Sequence, residues 1–296
     1  YIIDNKLYMW NMQMKKLIIN ADDFGLSKGN NEAIKQGFLS GVITSTSLLT
    51  NTEGFINATE EILPQISDID LGFHFNLMEG KSLTKSPLLS NADGTFNNSY
   101  GQLILKSTQK DFLNAIEAEF RLQIEKMLKY AQPSHVDSHV HTHAIPNIFK
   151  LVSKLAQEYG IKYIRTQKEL PYFVAEKSFK TKFALNIIKN ILLNTFTAEN
   201  VNLLKNNKLK TNDYFIGVLY TGFMDEKAIL EGLKKIEKDN SVTEIIFHPY
   251  IALEDTDKKG KEANIREFLI TQNTSIRKQI EETGFNFTNY GDLMNQ

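Results

Sequence analysis

The stretch "HVDSHVHTH", His135 to His143, places four histidines and an aspartate at alternate positions. The chain has 296 residues and only six histidines, so most of its imidazoles fall in one run of nine. Imidazole binds divalent ions and exchanges protons near neutral pH, so such a run raises metal binding and acid–base work together. The other two histidines are His74 in "LGFHFNL" and His248 in "FHPY". Two adjacent carboxylates, Asp22 and Asp23, stand in "INADDFGLS", and Arg165 closes "YIR".

These residues share a place in the pattern of elements. "KKLIIN" is a short apolar run that predicts a buried parallel strand, ended by Asp22-Asp23. "SKGNNEAIKQGFLSG" predicts a helix with Ser27 as N-cap and Gly41 just past its end. "VITSTSLLT" and "DIDLGFHFNL" predict the next strands, the latter carrying His74 and Asn76. Residues 80–110 are polar and rich in Gly, Asn and Ser, which predicts a long loop. Phe112, Ile116, Phe120, Ile124, Met127 and Leu128 recur at helical spacing. The run His135–His143 then predicts a strand, "IPNIFKLVSKLAQEYG" a helix and "IKYIRT" a strand. Residues 167–213 break the rhythm and predict a helical insertion. "DYFIGVLY", "VTEIIFHPY" and "FNFTNYGDLM" supply the last strands, with one helix predicted over "NIREFLITQNTSIRKQIEETG".

Strands thus alternate with helices about seven times, which means a parallel sheet of βα units. An open doubly wound sheet and a (β/α) barrel both fit, and in either the chemistry belongs at the C-terminal strand ends. All six histidines, Asp22-Asp23 and Arg165 fall there. Taken singly, each has a plain structural reading: a core histidine, an Asp N-cap, a surface ion pair, a strand exit at Pro249. Taken together, those readings would all have to hold at one edge of one sheet.

Strand geometry restricts the metal site. Alternate residues share a face, but i and i+2 lie about 6.6 Å apart and i and i+4 about 13 Å. Metal–nitrogen bonds are about 2.0–2.1 Å for zinc-like ions, so one ion takes one or two of the row. The site is therefore expected across strands: one carboxylate of Asp22-Asp23, His74, and one histidine of the run. The rest of the row, with Asn76, would stand behind the ion or reach the substrate: Asp137, His141 and His143. Adjacent aspartates in an extended chain point apart, so one binds the ion and the other takes a proton from water. His248 suits a general acid, and Arg165 would orient the basic carboxylate. This is a hydrolase constellation.

Composition limits the class. There is no cysteine, so any metal is held by nitrogen and oxygen. The net charge of −1 gives no support for a nucleic-acid partner. No apolar run reaches the ~18–20 residues of a membrane span, and the first 14 residues lack the apolar stretch of a signal peptide. A cytoplasmic enzyme is expected, with a barrel over residues 15–296 and an N-terminal extension of unclear status over 1–14. Met9, Met12 and Met14 each suit a natural start. A homodimer stays open.

The motifs "INADDFGLS", "LGFHFNL", "HVDSHVHTH", "YIRT" and "FHPY" resemble those of the YdjC-like carbohydrate deacetylases, which include chito-oligosaccharide deacetylases. The resemblance runs from about Lys15 to "FNFTNYGDL". It implies an irregular, TIM-like (β/α) barrel and one divalent ion, usually magnesium, on Asp23, His74 and His139. By analogy with the wider polysaccharide deacetylases, Asp22 would be the base and His248 the acid. The implied reaction is hydrolysis of an N-acetyl group on an amino sugar. Two features depart from the pattern. Tyr250 follows His248-Pro249, which would alter the local pocket, and residues 167–213 are long and lysine-rich. A barrel-type phosphoesterase or amidohydrolase, with two bridged ions, is the competing enzyme class. A sugar-binding protein without catalysis is the third.

Overall fold

The computed structural model describes residues 14–177, 181–207, 209–254 and 258–294. Most of the N-terminal extension, residues 1–13, lies outside the described residues. The strands are β1 (Lys15–Phe24), β2 (Ser45–Leu48), β3 (Asp70–Phe75), β4 (His135–Ser138), β5 (Tyr163–Ile164), β6 (Tyr214–Ile216), β7 (Val242–Phe247) and β8 (Phe285–Thr288). They run parallel in the order β5-β4-β3-β2-β1-β7-β6. β1 offers one edge to β7 over Lys16–Ala21 and divides the other, β8 taking Lys15–Ile18 and β2 taking Asn20 onward.

The sheet curls, and its two ends are linked through the flanking loops: Tyr163 of β5 bridges to Lys210, and the Phe215 N–H of β6 donates to the Lys168 carbonyl at 2.8 Å. The result is an irregular (β/α) barrel. The central strands β1 and β7 are buried on both faces along most of their length, as parallel strands covered by helices must be.

The helices are α1 (Lys28–Leu39), α2 (Tyr100–Lys106), α3 (Lys110–Met127), α4 (Pro146–Glu158), α5 (Thr181–Asn207), α6 (Glu226–Leu233), α7 (Glu262–Gln272), α8 (Thr274–Glu282) and α9 (Tyr290–Met294). The Ser27 side chain caps α1 by accepting from the Asn30 N–H. On α3, Phe112, Ile116, Phe120, Ile124 and Met127 are buried as their spacing predicts. None of the described helices is long and apolar enough to cross a membrane.

Four sequence expectations change. Residues 80–110 are not all loop: α2 starts in a capping box between Ser99 and Gln102. The single C-terminal helix is two, because the Asn273 side chain caps α8 and turns the chain there. β6 stops at Ile216, since the next three N–H groups leave the ladder for the Glu169 carboxylate. The run His135–His143 is a strand only to Ser138. Beyond it Val140 and His141 take left-handed angles, with φ of 53° and 55°.

Candidate active site

Register brings the chemistry to one level. Ala21 pairs with Phe247, which sets Asp22 beside His248. His74 pairs with Asp137 across β3 and β4. The β1–β2 register slips between Ala21 and Phe24, and Asp23 has φ of 70°. That bulge turns the two aspartates to different neighbours.

Asp22 faces a guanidinium. Arg165 Nη1 and Nη2 donate to its two carboxylate oxygens at 2.8 and 2.7 Å, a two-pronged pair. Asn20 Nδ2 also donates to Asp22 at 2.7 Å. Burial opposes the Asp22 charge, but Arg165 outweighs it and holds the carboxyl below its usual pKa. Arg165 is itself fully buried and also meets Asp137 at 2.6 Å and Glu244 at 2.7 Å.

Asp23 faces imidazoles. Its Oδ1 lies 2.8 Å from His139 Nδ1 and 3.5 Å from His74 Nε2. His74 is oriented from behind, its Nδ1 being 2.7 Å from Asp137 Oδ1, so Nε2 points to Asp23. Burial disfavours charge on His74, yet Asp137 and its neighbours raise its pKa to about 10.

His248, at the end of β7, lies 4.0 Å from Asp22 by Nε2 and 3.5 Å from Glu267 by Nδ1. Burial works against its charge, but the Glu267 carboxylate lifts the pKa to about 9. At neutral pH the site therefore holds an ionised Asp22 opposite a protonated His248.

Asp23, His74 and His139 offer donor atoms within 4.8 Å of one another, a set that fits a divalent ion. A second group, Asp22, His74 and Asp137, shares His74 with the first, and Arg165 already pairs both of its carboxylates.

The remaining predicted residues divide. Asp137 positions His74 and accepts from Ser47 Oγ at 2.7 Å. His143 is buried, meeting Ser138 Oγ and the Arg165 carbonyl, so it supports the turn from behind. Asn76 accepts the Met78 and Glu79 N–H groups and shapes the chain after β3. His135, also buried, stacks on Tyr290 with ring centroids 4.1 Å apart. His141 packs edge-on to Phe215, and its Nδ1 has no partner among the described residues. Sequence reasoning missed Glu244, Glu267 and Ser47. Glu244 carried a signal, being a charge in the apolar strand "VTEIIF".

A cavity of about 340 Å³ opens on this cluster, lined by Asp22, His139, His141 and His248 on one side. Lys189, Leu192 and Leu193 of α5, with Val218, form the other. Tyr250 does not line it: its ring lies over Gly29, where an added Cβ would sit 2.5 Å from Cε2. The wider hollow of about 600 Å³ at the opposite strand ends contains none of the paired groups.

A family model described as YdjC-like protein matches residues 16–282. A carbohydrate deacetylase of Clostridium beijerinckii is 37% identical over 148 residues, covering 49% of this chain and 58% of that protein. A chitooligosaccharide deacetylase of Yersinia pestis is 38% identical over 146 residues, covering 49% and 56%. The matched stretch spans a little over half the length of these curated relatives. An Enterococcus faecalis structure, provisionally described as a cellobiose-phosphate cleavage protein, superposes with a TM-score of 0.69. It is 26% identical, and the match covers 95% of this chain and 99% of that one.

Proposed function

The chain belongs to the YdjC-like family, and from that premise we propose a metal-dependent hydrolase that removes N-acetyl groups from chito-oligosaccharide-like amino sugars. The observation that carries the reading is the division of the aspartate pair. Asp22 is clamped by Arg165 beside His248, while Asp23 turns to His74 and His139. The deacetylase names of both sequence relatives support the substrate class.

Asp23, His74 and His139 would hold one divalent ion, which when bound polarises a carbonyl and acidifies water. Magnesium is the ion the family resemblance implies, and two imidazoles with one carboxylate also suit zinc or another transition metal. The chain's own groups do the rest. Water adds to the acetamide carbonyl carbon and Asp22 takes its proton, the carboxylate kept ionised and in place by Arg165. The C–N bond then breaks, and His248 gives its proton to the departing amine nitrogen. Acetate and a free amino sugar result. Glu267 keeps His248 charged for that step, and Asp137 keeps His74 turned to Asp23.

Because the two candidate donor groups share His74, one ion fits better than the bridged pair of a barrel-type phosphoesterase or amidohydrolase. The test is acetate release from N-acetylated mono- and disaccharides, with and without divalent ions. Ion-dependent release supports the reading. No release from any N-acetylated sugar contradicts it.

A further inference from the structure

The buried side of helix α5 mixes core side chains, Phe183, Leu193 and Leu204, with amides: Asn186 donates to the Leu219 and Thr221 carbonyls, Asn190 to Glu169, and Asn200 to the Ala144 carbonyl. Its outer side carries aliphatic groups, with Leu185, Ile188 and Ile191 exposed to 56, 63 and 61%. A surface helix ordinarily keeps such aliphatic groups on its buried side.

The outward stripe is joined to the cavity. At 100° per residue, Leu185, Ile188 and Leu192 fall on one line, spaced i, i+3, i+7. Leu192 also lines the cavity beside Leu193 and Val218. The apolar wall facing Asp22 and His248 therefore continues through Leu192 onto Ile188 and Leu185 at the surface. Val140, held at φ 53° on the other side of the cavity and 49% exposed, adds a fourth aliphatic group to the cavity wall. A left-handed β-branched residue is costly, and here the strain presents an apolar side chain to the cavity.

Resting on the deacetylase reading, we infer that the substrate is an amino sugar carrying an apolar tail, such as an alkyl aglycone. The sugar amide lies at the strand ends and the tail leaves along α5. Beside Lys189, Thr221 and Tyr100, the lining formed by Val140, Leu192, Leu193 and Val218 gains by covering with hydrocarbon, and sugar hydroxyls would leave those four side chains unused. The Lys189 stem covers the same surface while its ammonium reaches water.

The test compares N-acetylglucosamine with its octyl β-glycoside, kept below its micelle concentration, as substrates of the metal-loaded protein. The octyl glycoside should show a KM at least about tenfold lower. Ile188→Ser, an exposed change outside the reacting cluster, should raise the octyl KM about fivefold and leave the free sugar unaffected. Equal KM values for both substrates overturn the inference and leave the deacetylase intact. Hydrolysis of neither overturns the deacetylase reading as well. A dimer that Ile188→Ser makes monomeric, with both KM values unchanged, would assign the stripe to a second copy and also overturn the inference.

Discussion

Two buried hubs hold the two sides of the cavity, and they are built from opposite chemistry. On the side of Asp22 and His248 one cation, Arg165, gathers Asp22, Asp137 and Glu244. On the α5 side one carboxyl, Glu169, gathers the N–H groups of Gly217, Val218 and Leu219 with the Asn190 amide. The first hub sets charge states: it keeps Asp22 ionised. The second sets shape: it ties α5 to the segment after β6, and so fixes Leu192, Leu193 and Val218 as a wall. Damage to the first should therefore cost chemistry and damage to the second should cost fit.

The largest effect should come from Arg165→Met. It leaves three carboxylates buried around an uncharged side chain, a loss on the order of 3–5 kcal/mol. Melting should drop by roughly 10 °C, and turnover should vanish with it. A variant that keeps wild-type melting and activity would remove Arg165 as the hub.

His74→Ala should come next. It takes one of three donors from the proposed ion site, and ion affinity measured by calorimetry should fall by two orders of magnitude or more. Retention of the ion with full affinity would move the site elsewhere.

Glu169→Gln should separate shape from chemistry. KM should rise several-fold with kcat little changed, because no reacting group touches Glu169. A pH signature accompanies this. Burial lifts the Glu169 pKa to about 7 against its four donors, above the ordinary 4.5. The folded protein then binds this proton more tightly than the unfolded chain between those values. Its contribution is complete below about pH 4.5 and is lost as pH rises to about 7. Wild-type stability should fall more steeply over that window than that of the variant, by on the order of 2–3 kcal/mol. Parallel pH–stability curves would contradict the assignment.

The smallest effect should be Glu267→Gln. Without the carboxylate, burial lowers the His248 pKa, and the alkaline limb of the rate profile should move down by roughly one pH unit. An unmoved limb would mean that another group supplies the proton.

The side of the cavity that carries Asp22 and His248 was far more legible in the sequence than the wall opposite. Asp22, Arg165 and His248 each end or follow an apolar run, and His74 lies within one, so strand prediction placed them at one edge; His139 was placed there by the alternation of imidazoles. The turn at Val140 was not legible, because alternation of imidazoles mimics a strand and nothing in "HVHTH" signals positive φ. Glu169 and Glu267 were not legible either. One sits in a polar loop and the other in a helix, where glutamate is ordinary and only tertiary packing buries it. The exposed aliphatic stripe of α5 was hidden for the same reason: apolar residues occur all round the helix, so periodicity does not say which side faces in.

One measurement tests the central claim most directly: acetate release from di-N-acetylchitobiose by wild-type and Asp22→Asn protein, each assayed in parallel for bound ion. The wild type should release acetate and the variant should lose about 100-fold or more, with one ion per chain in both. An Asp22→Asn protein that keeps its turnover, or that loses its ion while Asp23→Asn keeps it, would contradict the division of labour between the two aspartates.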